Sequence, residues 1–460
     1  MKQEVYYMGK SVVSIVKNPV TPDAARIDEM VRQVVDQLGG MQSFVKPGDY
    51  VAIKGNFFAP YPPPVIVDRR VVYSFIKLIK EAGAGRIVLC EAVSVGTKLG
   101  RGTSTASILE EMGVRDAAIA AGAEVLCLED DERVVVKIPD GKSIGEVNYP
   151  KTLYDCDVMF DLPCMKTHAM TLVTLGMKNF QGILDDAQKY YAHRDDFEQK
   201  IVDLFKIRKP DLTLIDGITA MEGNGAGEHG IPHPMNMLLA SRDVVAVDAV
   251  TTACMGIEDV LWVGTTRIGQ YDGIGVADLN EIDIIGPSID EVKEKFLLPI
   301  TYRQPQDRNL TGVHKNVDVR CGGACKQCWG LASTIARTLA LFKNENYMLL
   351  VGSDPKVPNG ITCDLDNVIV FGDCACSATG NVKEIRNRML LEGKGLIAPG
   401  CPPYRPASAM LEEYLIKRGK VTREMLTAGN AKAVAKTYAY YKTVDPTWVP
   451  KSEQGKTDGE

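Results

Sequence analysis

Short apolar runs that end in polar or glycine-bearing residues alternate with segments of helical periodicity along most of the first 290 residues, and that rhythm restricts the chain to an α/β architecture. Asp23–Leu38 and Arg69–Gly83 carry apolar residues at helical spacing. Asp49–Asn56 and Arg86–Ala92 read as strands, and so do the later runs AEVLCLE, DVMFDLP, DLTLIDG and NMLLASRD. Continuous apolar runs of this kind suit strands covered by helices on both faces. The expected fold is therefore α/β, with mostly parallel sheets flanked by helices, in a large domain and a smaller C-terminal α/β domain.

The rhythm is interrupted by a polar, proline-bearing stretch. This places a large domain over residues 1–298, a linker over 299–316 and a second α/β domain over 317–440. In the second domain VDVR, NYMLLVGS, NVIVFGD and GLIAPG read as strands, with helical segments after the first, the third and the last. Residues 441–460 contain little apolar material and read as a mobile tail. A net charge of -6 argues against a nucleic-acid partner, which would require a basic face. The start lacks a signal-peptide pattern, and no run is apolar and long enough to span a membrane, so the expectation is a cytoplasmic protein without a membrane partner.

In such a compartment the twelve cysteines stay reduced, which favours metal or redox chemistry over disulfides. Cys321, Cys325 and Cys328 form a Cys-x3-Cys-x2-Cys triplet just after the VDVR strand, while Cys374 and Cys401 follow the strands NVIVFGD and GLIAPG. Ligands collect beyond the carboxyl ends of parallel strands, so several strands would deliver thiolates to one place. That donor set suits a 4Fe-4S cluster held by the triplet and completed by Cys374, Cys376 or Cys401. Zinc held by four thiolates and small buried cysteines are the competing readings. The triplet also occurs in radical S-adenosylmethionine enzymes, but too few residues follow Cys328 for the barrel those enzymes resemble. The Gly400–Pro403 turn, GCPP, looks like the cluster-binding turn of hydrogenase small subunits.

The first domain offers a second concentration of chemistry. Lys166, Thr167, His168, Thr171, Thr174, Lys178 and Asn179 follow one predicted strand, and Lys54 and Asn56 end another. Lysine charge and directional donors suit a small anionic molecule, with Lys54, Asn56, Lys178 and Asn179 as binding residues, Lys166 as an anion-holding catalytic residue and His168 as a proton donor. The glycines of GAGEHG (225–230) match a dinucleotide fingerprint in form only, because IPHP follows where a helix is required. A glycine-rich loop carrying Glu222, Glu228 and His229 is the better reading. Asp243 and Asp248 fit a helix-capping, loop-holding role.

Four segments, VAIKGN (51–56), DLPCMKTHAMTLVTLGMKNFQGIL (161–184), DLTLIDGITAMEGNGAGEHG (211–230) and LLASRDVVAVDAV (238–250), resemble in order and spacing the motif series of the domain of unknown function 362 family. The resemblance spans roughly Val51 to Pro287. It implies the α/β fold and an association with iron-sulfur clusters, and it leaves the reaction open. Gly55 stands where the family usually has proline, and Cys164 where it usually has lysine. Taken together, these features predict an oxygen-sensitive iron-sulfur oxidoreductase acting on a small anion, with a redox partner protein and with flavin or a second metal left open. A non-catalytic electron carrier and a redox-neutral lyase or isomerase are the alternatives.

Overall fold

The structure, a computed structural model, describes residues 10–94, 97–98, 102–192, 196–227, 230–299, 302, 315–324, 326–358, 360–401 and 406–454. Two compact units divide the chain. One takes in residues up to Ala192, Asp196–Leu297 and the chain from Val434 on, and the other takes in Leu298–Ala433. The predicted linker, 299–316, lies almost wholly outside the described residues.

The first unit contains β1 (Ser11–Lys17), β2 (Tyr50–Lys54), β3 (Arg86–Glu91), β4 (Glu124–Cys127), a separate hairpin of β5 (Arg133–Lys137) and β6 (Glu146–Pro150), and β7 (Val158–Asp161). It continues with β8 (Cys164–His168), β9 (Leu172–Thr174), β10 (Leu212–Gly223), β11 (Gly230–His233), β12 (Met237–Ser241) and β13 (Ile282–Ile285). The central sheet runs β13-β1-β12-β10-β7-β2-β3-β4. Five of its seven neighbouring pairs are parallel, whereas β12 lies antiparallel to both β1 and β10. The apolar run of β12 predicted its burial but contains nothing that sets its direction.

Helices form where the apolar period and a capping residue coincide. Asp23 accepts a hydrogen bond from Arg26 N at 2.8 Å and opens the helix Ala24–Asp36. Asp68 does the same for Arg69–Glu81, whose Val71, Val72, Phe75, Ile76 and Ile79 are buried in the main core. β2 and β3 are apolar on both faces because helices cover the sheet. The glycine-rich segment joins β10 to β11 as a hairpin, with Gly223 opposite Gly230, so no helix follows it. Glu228 and His229 lie outside the described residues.

In the second unit, β14 (Val317–Cys321), β15 (Tyr347–Val351), β16 (Val368–Phe371) and β17 (Leu396–Ala398) form a wholly parallel sheet in sequential order. The segment read as a mobile tail is in part structured. The helix Arg423–Val444 extends into it, and Tyr441 and Trp448 are 1% and 2% exposed in the core of the first unit. One large indole is enough to dock an otherwise polar segment.

Candidate functional site

Lys54 ends β2, Glu91 ends β3 and Asp161 ends β7, three neighbouring parallel strands. The register sets Lys54 beside both Cys90 and Asp161. Charged and amide side chains therefore collect at the carboxyl edge of the sheet, where such folds hold ligands.

All three ammonium hydrogens of Lys54 have acceptors. Its Nζ lies 2.8 Å from Glu91 Oε1, 2.7 Å from Gly55 O and 3.3 Å from Asn179 Oδ1. Glu91 also accepts from Phe57 N at 2.9 Å and Ala92 N at 2.8 Å, so this fully buried ion pair is completed by backbone donors. Gly182 packs against it; a Cβ there would sit 2.8 Å from Lys54 Nζ. Only glycine admits so close an approach.

A directional chain joins the second lysine to the third strand. Lys166 Nζ donates to Asn56 Oδ1 at 2.6 Å, Asn56 Nδ2 to Asn179 Oδ1 at 2.8 Å, and Asn179 Nδ2 to Asp161 Oδ1 at 2.7 Å. Lys166 also donates to Val65 O at 2.8 Å and faces the Phe58 ring at 4.7 Å. Asp161 Oδ2 is buried and has no hydrogen-bond partner among the described residues. Burial raises the Asp161 carboxyl well above the ordinary aspartate range, against the opposing hydrogen bond from Asn179.

Four of the predicted residues, Lys54, Asn56, Lys166 and Asn179, thus share one buried network. Lys178 stands at its border, half-buried, donating to Gln181 Oε1 and lying 5.0 Å from the Phe197 ring centre. Desolvation of the ammonium, then the charges of Lys166 and Lys54, lower Lys178 to about 7. Lys166 is itself lowered, by burial. His168 ends β8, and its Nδ1 accepts from Met170 N at 3.0 Å and Thr171 N at 3.3 Å, which fixes the ring across a turn. That contact suits a structural histidine.

Glu91, Asp161 and Lys189 were not singled out from the sequence. Lys189 is 4% exposed, donates to Val93 O at 3.3 Å and is lowered to about 8, chiefly by burial. The signal for the two acids was an acidic residue closing a buried apolar run. Asp243 has the expected capping role, at Val244–Cys254, whereas Asp248 holds no part of the glycine-rich segment and instead accepts from Gly176 N at 2.8 Å and Met177 N at 3.0 Å.

In the second unit Cys321 ends β14, Cys374 lies three residues beyond β16 and Cys401 lies three beyond β17. Their loops are tied in pairs. Asp373 N donates to Gly400 O at 2.8 Å and Gly400 N to Asp373 Oδ1 at 2.6 Å, while Gly322 N donates to Val351 O at 3.1 Å and Asp354 N to Gly322 O at 2.9 Å. A backbone hydrogen bond from Ala324 favours the Cys321 thiolate, although burial outweighs it and the thiol is raised. Cys328 is 6% exposed and packs in the hydrophobic core, Cys376 is half-buried, and Cys325 lies outside the described residues. Among the described residues, no three His, Cys, Asp or Glu side chains are grouped so as to hold a metal ion. Cys321, Cys374 and Cys401 lie at the carboxyl edge of one parallel sheet. No helix among the described residues is long and apolar enough to cross a membrane.

Residues 51–253 match the family model described as "Domain of unknown function (DUF362)". Over 244 residues the chain is 30% identical to the thylakoid-associated protein sll1697 of Synechocystis sp., covering 51% of this chain and 72% of that protein. Among solved structures, the lactate racemase apoprotein from Thermoanaerobacterium thermosaccharolyticum matches with 11% identity and a TM-score of 0.33, covering 51% of this chain and 55% of that one. A Thermotoga maritima protein matches with 10% identity and a TM-score of 0.26, covering 56% of this chain and 60% of that one.

Proposed function

We propose, for this chain, which belongs to the family described as a domain of unknown function (DUF362), a role as an iron-sulfur oxidoreductase acting on a small anionic molecule. The observation that carries this reading is the arrival of Cys321, Cys374 and Cys401 at one carboxyl edge of a parallel sheet, the loops of Cys374 and Cys401 being joined by a backbone hydrogen bond from Asp373 N to Gly400 O. With Cys325 these residues would make up the four thiolates that a 4Fe-4S cluster requires; Cys328, enclosed in the core, is left out of the set. Such a cluster supplies one-electron transfer.

The anion site belongs to the first unit. Lys54, Lys166, Lys178 and Lys189 feel one another's charge or that of the same carboxylate, Glu91, while burial favours the neutral form of Asp161. Burial disfavours the charged forms of Lys166, Lys178 and Lys189, and a bound anion would offset that cost by pairing with an ammonium group. Lys54 and Lys166 are held by internal acceptors and supply field, whereas Lys178 has donors left for a ligand. Anaerobically purified protein should show iron-sulfur optical and electron paramagnetic resonance signals, and small carboxylates or phosphates should bind with an affinity that falls as salt rises. Stoichiometric zinc without iron, in protein produced with ample iron, would refute the cluster; absence of any salt-sensitive anion binding would refute the site.

A further inference from the structure

The β10–β11 hairpin carries a histidine set between two carboxylates. His233 Nε2 lies 2.9 Å from Glu294 Oε2 and Nδ1 lies 3.3 Å from Glu222 Oε2, while the ring packs on Phe296 with centroids 4.3 Å apart. Two hydrogen bonds from the backbone join the same pieces: Leu297 N donates to Glu222 Oε2 at 2.7 Å, and Gly223 N donates to Leu297 O at 2.6 Å. Glu294–Leu297, the last residues before the chain leaves the first unit, are thereby fastened to the hairpin.

A neutral imidazole has one N–H. Whichever nitrogen carries it, the other turns a lone pair toward a carboxylate oxygen, whereas the imidazolium donates to Glu294 and is attracted by Glu222 as well. We propose that His233 is a proton-operated latch, which closes Glu294–Leu297 onto the hairpin while the ring is charged and releases it when the proton is lost. The inference goes beyond the cluster and anion readings and depends on neither. Its effect falls beside β8: Gly223, whose N–H holds Leu297, accepts from Thr167 Oγ1 at 2.9 Å through its carbonyl, and Ala169 N donates to Gly225 O at 3.2 Å. The latched hairpin therefore lies against the strand that carries Lys166 and His168.

Other charges on the elements packed here leave the two carboxylates free to hold the ring. Lys17 reaches Glu294 Oε1 from β1 at 2.9 Å, and Lys293, paired with Asp290, and Lys295 are exposed on the same segment. Glu294 N donates to Cys254 O at 2.9 Å, and the Cys254 thiol, raised by burial to about 12, is neutral in the imidazole range. Burial opposes charge on Glu294, yet hydrogen bonds from Lys17 and His233 outweigh it and hold the carboxyl below its ordinary range. The latch's contribution is thus present at the acid end of the imidazole range, about pH 5–8, and is lost as pH rises through it.

Amide hydrogen exchange of the full-length protein at about pH 6 and about pH 8, with the intrinsic rate at each pH divided out, tests the latch in peptides that hold Gly223 and Leu297. Their protection should fall roughly tenfold at the higher pH, the change that one unit of linkage gives, while amides of β2 keep theirs. In His233→Gln the two pH values should give the same protection at Gly223 and Leu297, with β2 again protected. Protection that does not change with pH in the unsubstituted chain, or that falls just as far in His233→Gln, overturns the latch. The first comparison needs no variant and does not depend on how one folds.

Discussion

Lys54 and Glu91 form an ion pair at 2.8 Å with almost no exposure to water, so removing one partner strands the other charge in a poorly solvated place. Glu91→Gln should lower the unfolding free energy by about 3–5 kcal/mol, read from urea denaturation, and pairing it with Lys54→Met should cost less than the sum. Linkage gives a second expectation. Lys178 and Lys189, at about 7 and 8 when folded and 10.5 when unfolded, bind fewer protons in the folded state between those values. These two lysines therefore add stability as pH rises from about 8 to 10, against thiols such as Cys127, Cys164 and Cys254, raised by burial to about 11, 12 and 12, which subtract it in the same window; Lys178→Met should shift the net slope downward in thermal melts. The window avoids Asp216 and Asp248, raised to about 7 by burial, whose contribution is lost as pH climbs through that value. Lys54 and Asn56 stood out in the sequence as polar residues at a strand end, and Lys166 and Asn179 as part of a dense run of donors following an apolar strand. Glu91 and Asp161 did not, since an acid closing an apolar run resembles any strand terminus.

At the scale of elements, two glycines test how closely the segments approach. A Cβ at Gly182 would meet Lys54 Nζ at 2.8 Å and Glu91 Oε1 at 2.9 Å, so Gly182→Ala should destabilise the first unit by roughly 1–3 kcal/mol in denaturant titration. At Gly322 the added carbon would stand 1.9 Å from Asp354 O, a backbone atom that cannot swing aside. Gly322→Ala should break the tie between the loops after β14 and β15 and lower iron content, with anion binding in the first unit unchanged. Helices with a capping acid and a clear apolar period, such as Arg69–Glu81, were readable from sequence alone. The strands β5, β6, β8, β9 and β11 were not: β6, β8 and β11 carry polar residues or proline, β9 is three residues long, and the valines of β5 pair only in a small separate hairpin.

For the whole molecule, the C-terminal segment is the feature most at odds with a composition-based reading. Trp448 packs edge-on against Tyr438 and Tyr441, both at 5.1 Å between ring centres, and its Nε1 donates to Met112 O at 3.3 Å. Arg69 pairs with Asp445 at 2.8 Å nearby. Trp448→Ala should cost about 3–5 kcal/mol in the unfolding of the first unit, followed by its thermal transition. A segment with one indole and few aliphatics appears too polar to dock, because composition counts residues whereas burial of a single large ring depends on the groove that receives it.

Iron and acid-labile sulfide measured on anaerobically purified protein test whether the carboxyl edge of the second sheet holds an iron-sulfur cluster. The unsubstituted chain should carry about four of each. Cys321→Ala, Cys374→Ala and Cys401→Ala should each lose most of both, while Cys90→Ala, whose thiol is buried in β3 and raised by desolvation, should retain them. Full iron and sulfide in the three edge variants, or none in the unsubstituted protein, would contradict the account.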